Sequence, residues 1–189
     1  MLKAARGIVR DSGVAALSSR KVANQVGYTV GTIFQVFGNM DHLVVELNIA
    51  TLKRLYEHCR TAPHGIDAEA RIRNLANAFL TFANENKNEW DAVISYQYSK
   101  DLTQLPEYRE QVLLLHAAIS DSISEFYSKD DEAQRMDDVS LLWTSLYGIF
   151  VLASASKLTA GYDAQRMLES LITLYLDARA KSLPSRIKD

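Results

Sequence analysis

The chain has 189 residues, 48% of them apolar and 23% charged, a composition typical of a soluble globular protein with a hydrophobic core. Its single cysteine, Cys59, excludes an internal disulfide and a cysteine-cluster metal site, and it suits a reducing cytoplasm. The formal net charge is −2, yet residues 1–60 hold eight bases against four acids, so the amino-terminal part is basic and the remainder acidic. The first six residues lack the apolar segment of a secretory signal, so we expect a cytoplasmic protein.

Only eight glycines and three prolines interrupt the chain, and no strand-like alternation recurs, so an all-α fold of about nine helices is predicted. Three helices are expected over about residues 2–12, 19–26 and 30–36, and a fourth from residue 39 to about residue 60. Glycines and N-capping side chains mark their ends: Gly13, Ser18 or Ser19, Gly27, Thr29 and Asn39.

Five more helices are expected after the break at Pro63-His64-Gly65. The fifth is capped by Asp67, and its apolar residues from Ile72 to Ala83 recur at 3- and 4-residue steps, which places them on one face. A sixth segment carries Trp90 to Tyr98. The seventh begins after Pro106, a residue that suits a first helical turn, and continues to Phe126.

The eighth helix contains an uncharged stretch of 18 residues, Val139 to Ser156, which is the lower limit for a membrane span. Five serines and threonines within it argue against that interpretation. A soluble helix that is apolar on all sides needs cover on all sides, and the ninth helix, after Asp163, is also apolar on more than one side. We therefore expect a two-fold four-helix bundle between two copies of the chain, with a thick monomeric core as the alternative. The expected interface residues are Leu142, Leu146, Phe150, Met167, Leu171, Leu174 and Tyr175.

Reactive side chains do not form a recognisable catalytic pattern in the sequence. The four histidines form no H-E-x-x-H pair, and neither a glycine-rich phosphate loop nor a G-x-S-x-G elbow is present. Cys59 beside His58 is more typical of a small buried apolar residue than of a nucleophile. The sequence therefore indicates no enzyme, no metal site and no cofactor.

Residues 17–37 hold a short helix, a glycine turn and a second short helix, which is the spacing of a helix-turn-helix. Small Ala23 allows the helices to approach closely, and the second helix leaves small or hydrogen-bonding side chains to face a major groove. Basic side chains at the start of the first helix can contact a phosphate or the edge of a guanine. The expected DNA-binding residues are Ser18, Ser19, Arg20, Lys21, Thr29, Val30, Gly31, Thr32, Phe34 and Gln35.

The wider amino-terminal pattern resembles the TetR family of transcriptional regulators. Residues 31–39, Gly-Thr-Ile-Phe-Gln-Val-Phe-Gly-Asn, are similar to the family signature G-T-[LI]-[YF]-x-[YH]-F-x-[SN]. The resemblance implies a DNA-binding domain at residues 1–45, with helix four linking to about residue 60, and an effector-binding and dimerisation domain at residues 46–189. By position, it implies that Arg20 contacts a base or phosphate, that Thr29, Val30 and Thr32 lie in the recognition helix, and that Phe34 and Gln35 contact the DNA backbone.

Three departures from the family pattern affect phosphate contacts. Phe34 keeps the aromatic ring of the family's frequent tyrosine but lacks its hydroxyl, and Met40 stands where a lysine is common. We also expect the basic arm before the first helix to be missing or trimmed. Each lost phosphate contact lowers the salt dependence of binding by about one unit of slope, so weaker or more base-dependent DNA binding is expected.

The carboxy-terminal part carries a second, shorter similarity. Trp143 to Phe150 resembles a W-x-x-x-H-G element of some carboxy-terminal domains in this family, with Tyr147 in place of the histidine. An effector pocket among helices five to eight is expected, since ligand sites in helical proteins form between helices. Its expected lining is Trp90, Ile94, Tyr98, Tyr108, His116, Trp143 and Tyr147.

The resemblance implies a dimeric, ligand-responsive repressor that binds a palindromic DNA operator, with a small-molecule effector of unknown identity. Two other classes stay open. One is a helical ligand-binding protein without DNA function, and the other is a helical interaction or membrane-associated protein.

Overall fold

The computed structural model describes residues 1–182, and within that range it contains nine α-helices and no strands, which confirms the predicted all-α class. Short 3₁₀ turns separate several of the helices. In chain order the helices are α1 Leu2–Ser12, α2 Ser19–Val26, α3 Val30–Phe37, α4 Met40–Arg60, α5 Ala68–Glu85, α6 Lys87–Ser95, α7 Pro106–Ile123, α8 Glu132–Ser154 and α9 Ala164–Ser182.

Local capping side chains fix most of these helix starts. The Ser18 hydroxyl accepts a hydrogen bond from the backbone N–H of Lys21 at the start of α2, so Ser18 rather than Ser19 is the cap. Asn39, Asp67 and Asp163 accept the same kind of bond at the starts of α4, α5 and α9, at 2.9, 2.7 and 2.8 Å. The predicted caps at these starts are confirmed.

Two predicted helices end earlier than expected. Helix α6 stops at Ser95, and Tyr96 continues in an extended conformation, so Tyr98 lies outside the helix. Helix α7 stops at Ile123, and Phe126 belongs to a 3₁₀ turn. In the first case, the Tyr96 hydroxyl donates to Asp41 at the start of α4, a tertiary contact that local sequence does not encode.

The chain divides into two compact units. The first combines Met1–Glu57 with Phe82–Leu114, and the second combines His58–Thr81 with Leu115–Asp189, of which residues 115–182 are described. This division differs from the predicted boundary at residue 45, which concerns function rather than compactness and stays a prediction. Residues 183–189 of the predicted second domain lie outside the described part of the chain.

Each unit has its own apolar core. In the first, side chains of α1, α2 and α3 pack together with the first turns of α4 and with α6: Ala5, Val9, Val22, Ala23, Ile33, Leu43, Leu47 and Ala92. In the second, Phe79 of α5 packs against Phe150 of α8, with ring centroids 5.1 Å apart, and against Trp143 of the same helix at 6.4 Å. Such aromatic pairs add to the free energy of area burial.

Helix α8 buries one face and exposes the other. The residues of its inner face, Val139, Leu142, Leu146, Ile149 and Phe150, recur at helical steps and belong to the core of the second unit. Within the described residues, Lys129–Ser154 is the one helical segment that is long and apolar enough to cross a membrane, judged by length and composition alone. The core helices of soluble proteins share that composition, so the segment is weak evidence for a span.

Candidate nucleic-acid interface

Helices α2 and α3 form a tight pair on top of α1. Their facing side chains are almost fully buried, with exposed fractions of 0% for Val22 and 1% for Ala23 and Ile33. These residues pack against Ala5 and Val9 of α1, so three helices share one small core. This packing fixes which face of α3 remains free.

The turn between the two helices requires a glycine and an N-cap. Gly27 has φ 70° and ψ 28°, the left-handed conformation that glycine adopts most easily. The next backbone N–H, of Tyr28, donates to the carbonyl of Ala23 at 3.0 Å. Thr29 then caps α3, because its hydroxyl accepts from the N–H of Thr32 at 3.2 Å. The predicted glycine turn and cap are confirmed.

The outward face of this pair is polar and partly basic. Arg20 and Lys21 are exposed at the start of α2, and Thr29, Gly31 and Gln35 are exposed along α3 and its cap. Phe34 is 41% exposed on the same helix. These groups match the small, hydrogen-bonding and cationic side chains that contact bases and phosphates in a major groove.

Four of the predicted DNA-binding residues are less exposed to solvent than the others. Ser18, Ser19, Val30 and Thr32 are only half-exposed. Ser18 uses its hydroxyl for the cap, and Val30 packs partly against the core of the first unit. The Thr32 hydroxyl lies 3.0 Å from the Thr29 hydroxyl, so these two groups hydrogen-bond to each other.

Two exposed side chains near this face were not predicted. Tyr28, in the turn, is 58% exposed, and Val36, in α3, is 59% exposed. No local signal in the sequence identifies Tyr28, because its exposure depends on neighbours distant in the sequence.

An apolar cavity of about 40 Å³ lies within the second unit. Its walls come from the end of α4 and from α5, α7, α8 and α9: Cys59, Ile72, Leu75, Ala76, Phe79, Leu115, Ala118, Ile119, Leu142, Trp143, Leu146, Leu168, Leu171 and Ile172. The lining is almost wholly hydrocarbon, so the cavity suits an uncharged apolar group. Binding a molecule larger than a few atoms requires the lining side chains to move.

Two ionisable groups at or near this cavity are held neutral by burial. Burial raises the pKa of the Cys59 thiol to about 12, so the thiol is protonated and unreactive at neutral pH, as its predicted role as a buried apolar residue requires. Burial also lowers the pKa of His116, whose ring centroid lies 5.0 Å from that of Trp143. The Nε2 atom of His116 is buried and has no hydrogen-bond partner.

Family models match both parts of the chain. Residues 1–47 match the model described as "Bacterial regulatory proteins, tetR family", and residues 72–175, more than half of the chain, match "Tetracyclin repressor-like, C-terminal domain". The chain belongs to the TetR family of transcriptional regulators.

Solved structures share the fold of this TetR-family regulator at low sequence identity. A TetR transcriptional regulator from Rhodococcus sp. RHA1 is 15% identical, with a TM-score of 0.69 over 97% of this chain and 94% of that one. The TetR family regulator PfmR from Thermus thermophilus is 16% identical, with a TM-score of 0.55 over 97% and 98%. A putative TetR family regulator from Vibrio parahaemolyticus is 21% identical, with a TM-score of 0.54 over 94% and 95%. No curated protein matches the chain.

The cavity shares one residue with the predicted effector pocket of this TetR-family regulator, whose lining stays a prediction. Of its seven predicted lining residues, only Trp143 lines the cavity. Trp90, 2% exposed, is buried in the first unit, and Ile94, Tyr98 and Tyr108 are half-buried in the same unit. The residues that line the cavity lie on apolar helix faces, and sequence periodicity does not distinguish a packed side chain from one that borders a cavity.

The residues of the regulator's predicted dimer interface differ in exposure, and the interface stays a prediction. Four of the seven residues are buried in the chain's own core, with exposed fractions of 6%, 9%, 5% and 8%: Leu142, Leu146, Phe150 and Tyr175. Met167 and Leu171 are half-buried, and Leu174 is 69% exposed. The large apolar side chains exposed on α8 are Met136, Leu141 and Leu152, at 45%, 60% and 45%.

A buried polar cluster joins α8 and α9 in the regulator's second unit. The Asp138 carboxylate accepts hydrogen bonds from the Tyr127 hydroxyl and from Gln134, and it pairs with Arg179 of α9 at 2.5 Å. The Tyr127 hydroxyl also lies 2.8 Å from that of Tyr175. Each side chain in this cluster has a hydrogen-bonding partner, so the cluster stabilises one arrangement of α8 and α9. Among residues 1–182, no group of three or more His, Cys, Asp or Glu is placed to hold a metal ion.

Proposed function

We propose that this TetR-family regulator is a cytoplasmic, ligand-responsive repressor that binds a palindromic operator as a dimer. The single observation that carries the proposal is the outward face of α3, which leaves Thr29, Gly31 and Gln35 exposed while Ile33 anchors the helix in the core. A recognition helix needs this arrangement, because its base-reading side chains must be free and its axis must be fixed.

The residues have separate roles in this proposal. Thr29 and Thr32 offer hydroxyls, and Val30 a methyl-contacting surface, to base edges in the major groove. Gly31 carries no side chain and lets the helix backbone approach the DNA. Arg20 contacts a base edge or phosphate, and Phe34 and Gln35 lie against the DNA backbone. Ser18, Ser19 and Lys21 lie at the start of α2 and complete the phosphate-facing surface.

The dimer is proposed to form through the outer faces of α8 and α9. Leu141, Leu152 and Leu174 are exposed there, and an apolar face of this kind is stable in water when a second copy covers it. A two-fold dimer places two recognition helices in successive major grooves, with centres about 34–36 Å apart. This geometry requires a palindromic operator.

The effector is proposed to be a small, uncharged apolar or aromatic molecule that occupies the cavity of the second unit. The W-x-x-x-H-G-like element contributes Trp143 to its wall. An effector that binds better to a state with an expanded cavity shifts the dimer towards that state, and the operator is released if that state has the wrong helix spacing. In this scheme residues 1–45 bind DNA, and residues 46–189 bind effector and partner.

Selection of bound fragments from random DNA tests the proposal. We expect the wild-type protein to select a palindrome, and Arg20→Ala and Gln35→Ala to weaken binding to it by about tenfold or more. Arg20→Ala also lowers the salt slope by about one unit if the arginine contacts phosphate. Gln97→Ala, which changes an exposed glutamine in the linker after α6, is the control and leaves affinity unchanged.

Two results would contradict DNA recognition. One is binding at low salt that never exceeds the level seen with arbitrary DNA. The other is unchanged affinity of Arg20→Ala and Gln35→Ala while apolar compounds still raise the melting temperature, which indicates a helical ligand-binding protein without DNA function.

A further inference from the structure

A buried glutamate lies between two arginines inside the first unit. Glu89 of α6 is 3% exposed, and its Oε1 atom accepts hydrogen bonds from Arg6 Nε of α1 at 2.6 Å and from Arg54 Nη1 of α4 at 2.9 Å. Arg54 also donates to Asn86 Oδ1 at 2.6 Å. One carboxylate oxygen therefore ties three helices together.

The surroundings of Glu89 extend this connection. Its second oxygen, Oε2, and the Oδ1 atom of Asn48 are buried acceptors without a protein donor, and both residues line a cavity of about 10 Å³. The amide nitrogen of Asn48 donates to the carbonyl of Ala92 at 3.0 Å and to the Tyr98 hydroxyl at 2.7 Å. Helix α4 is thus held to α6 and to the segment after it through polar contacts.

Stability alone does not explain a buried glutamate here. Desolvation of a carboxylate offsets most of the Coulomb attraction to its partners, and apolar residues of similar volume often replace such a group without loss of stability. A directional ion pair does what an apolar contact does not, because it permits one relative placement of its partners. The Glu89 ion pairs therefore favour one arrangement of the helices that they join.

Through these contacts, Glu89 fixes the position of α1 relative to α4 and α6. Arg6 reaches Glu89 from α1, and the same helix packs its Ala5 and Val9 against the facing residues of the α2–α3 pair. Asn88 of α6 also donates to the carbonyl of Arg10 in α1 at 2.8 Å. The position of α1 therefore determines the position of the recognition helix.

We propose that Glu89 is a positioning residue for operator recognition, which through Arg6 fixes α1, and with it α2 and α3, against α4 and α6. This inference rests on the proposed binding of a palindromic operator by a dimer. A recognition helix that is firmly fixed in each subunit accepts one half-site separation, whereas a loosely fixed helix accepts several.

Half-site spacing is the readout that separates positioning from folding. Loss of folded protein weakens binding to every operator by the same factor. Loss of positioning weakens binding to the preferred spacing most, so the dependence of affinity on spacing becomes flatter. The experiment therefore titrates each protein with the operator selected by the wild type and with versions lengthened or shortened by one and two base pairs between the half-sites.

Three variants are compared with the wild type. Arg6→Gln removes the link to α1 while the Arg54–Glu89 pair remains, and the Arg6 side chain, 42% exposed, is accessible enough for the fold to tolerate the change. Glu89→Gln removes the carboxylate that both arginines contact. Arg10→Gln is the matched control, because Arg10 is on the same helix and carries the same charge but pairs with neighbouring Asp11.

We expect Arg6→Gln and Glu89→Gln to weaken binding to the preferred spacing by about tenfold and to the altered spacings by less, with an unchanged salt slope. Arg10→Gln retains the wild-type preference. The inference is overturned if Arg6→Gln and Arg10→Gln give the same spacing profile, if Arg6→Gln weakens all spacings equally, or if it reduces the salt slope as a phosphate contact does. If the wild type itself selects no palindrome, the proposed function fails first and the inference fails with it.

Discussion

At the scale of single residues, the left-handed conformation of Gly27 forms the turn between α2 and α3. A Cβ atom added at this position has no atom within 4 Å beyond its chain neighbours, so the backbone conformation is what opposes a change to alanine. Gly27, Ser18 and Thr29 were predictable from sequence, because a turn glycine and a capping hydroxyl act on residues within a few positions. The exposure of Tyr28 was not predictable, because it depends on neighbours distant in the sequence.

We expect Gly27→Ala to reduce the free energy of unfolding by about 1–2 kcal/mol, the cost of a left-handed conformation in an L-residue. Gly7→Ala is the matched control with the opposite sign. Gly7 lies inside α1, its added methyl group comes no closer than 4.0 Å to Gln25, and alanine favours a helix by about 1 kcal/mol. Urea titration measures the free energy of unfolding of both variants, and we expect the m-value to be unchanged in each. Equal effects of the two variants would contradict this account of the turn.

At the scale of elements, α8 illustrates what periodicity does and does not predict. The sequence indicates a helix with apolar residues on every side, and the structure contains one. Of the predicted interface residues, Leu142 and Leu146 are buried in the unit's own core, whereas neighbouring Leu141 is exposed. Choosing between two apolar faces requires the positions of α5 and α9, which the sequence of α8 does not contain.

For the interface, we expect Leu174→Glu to raise the dimer dissociation constant by about tenfold or more, because a buried unpaired carboxylate opposes association. Leu174 is 69% exposed within one chain, so the subunit fold tolerates the change. Sedimentation velocity at several concentrations measures the constant. Leu113→Glu, at a residue of α7 that is 60% exposed, is the control and leaves association unchanged. A dissociation constant equal to that of the wild type in Leu174→Glu would place the interface elsewhere.

At the scale of the whole molecule, helix order was predictable and the cavity was not. Helix ends depend on nearby caps and glycines, which the chain carries at most breaks. The residues that line the cavity are spread along the sequence from Cys59 to Ile172. Which residues line it depends on how four long helices and the end of a fifth pack together. Of the predicted aromatic lining, Trp143 borders the cavity, whereas Trp90 is buried in the first unit.

The burial of His116 gives the whole molecule a pH-dependent stability. Its pKa is lowered in the folded state, whereas the unfolded chain binds a proton near the ordinary value of about 6.5. Protonation therefore favours unfolding as the pH falls below about 6.5, and stability is retained above it. We expect His116→Phe to lose this dependence below about pH 6.5, measured by urea unfolding at several pH values. His64→Gln, at an exposed histidine, should keep the wild-type slope, and an unchanged slope in His116→Phe would refute the assignment.

The chain's one thiol sits in the cavity wall, 5% exposed and protonated at neutral pH. A thiol reagent can therefore modify the native protein only during moments when that wall opens. The rate of modification reports the frequency of opening, and a compound that fills the space slows it. Screening for effectors can thus proceed by chemical labelling of the unaltered protein, before any operator is known.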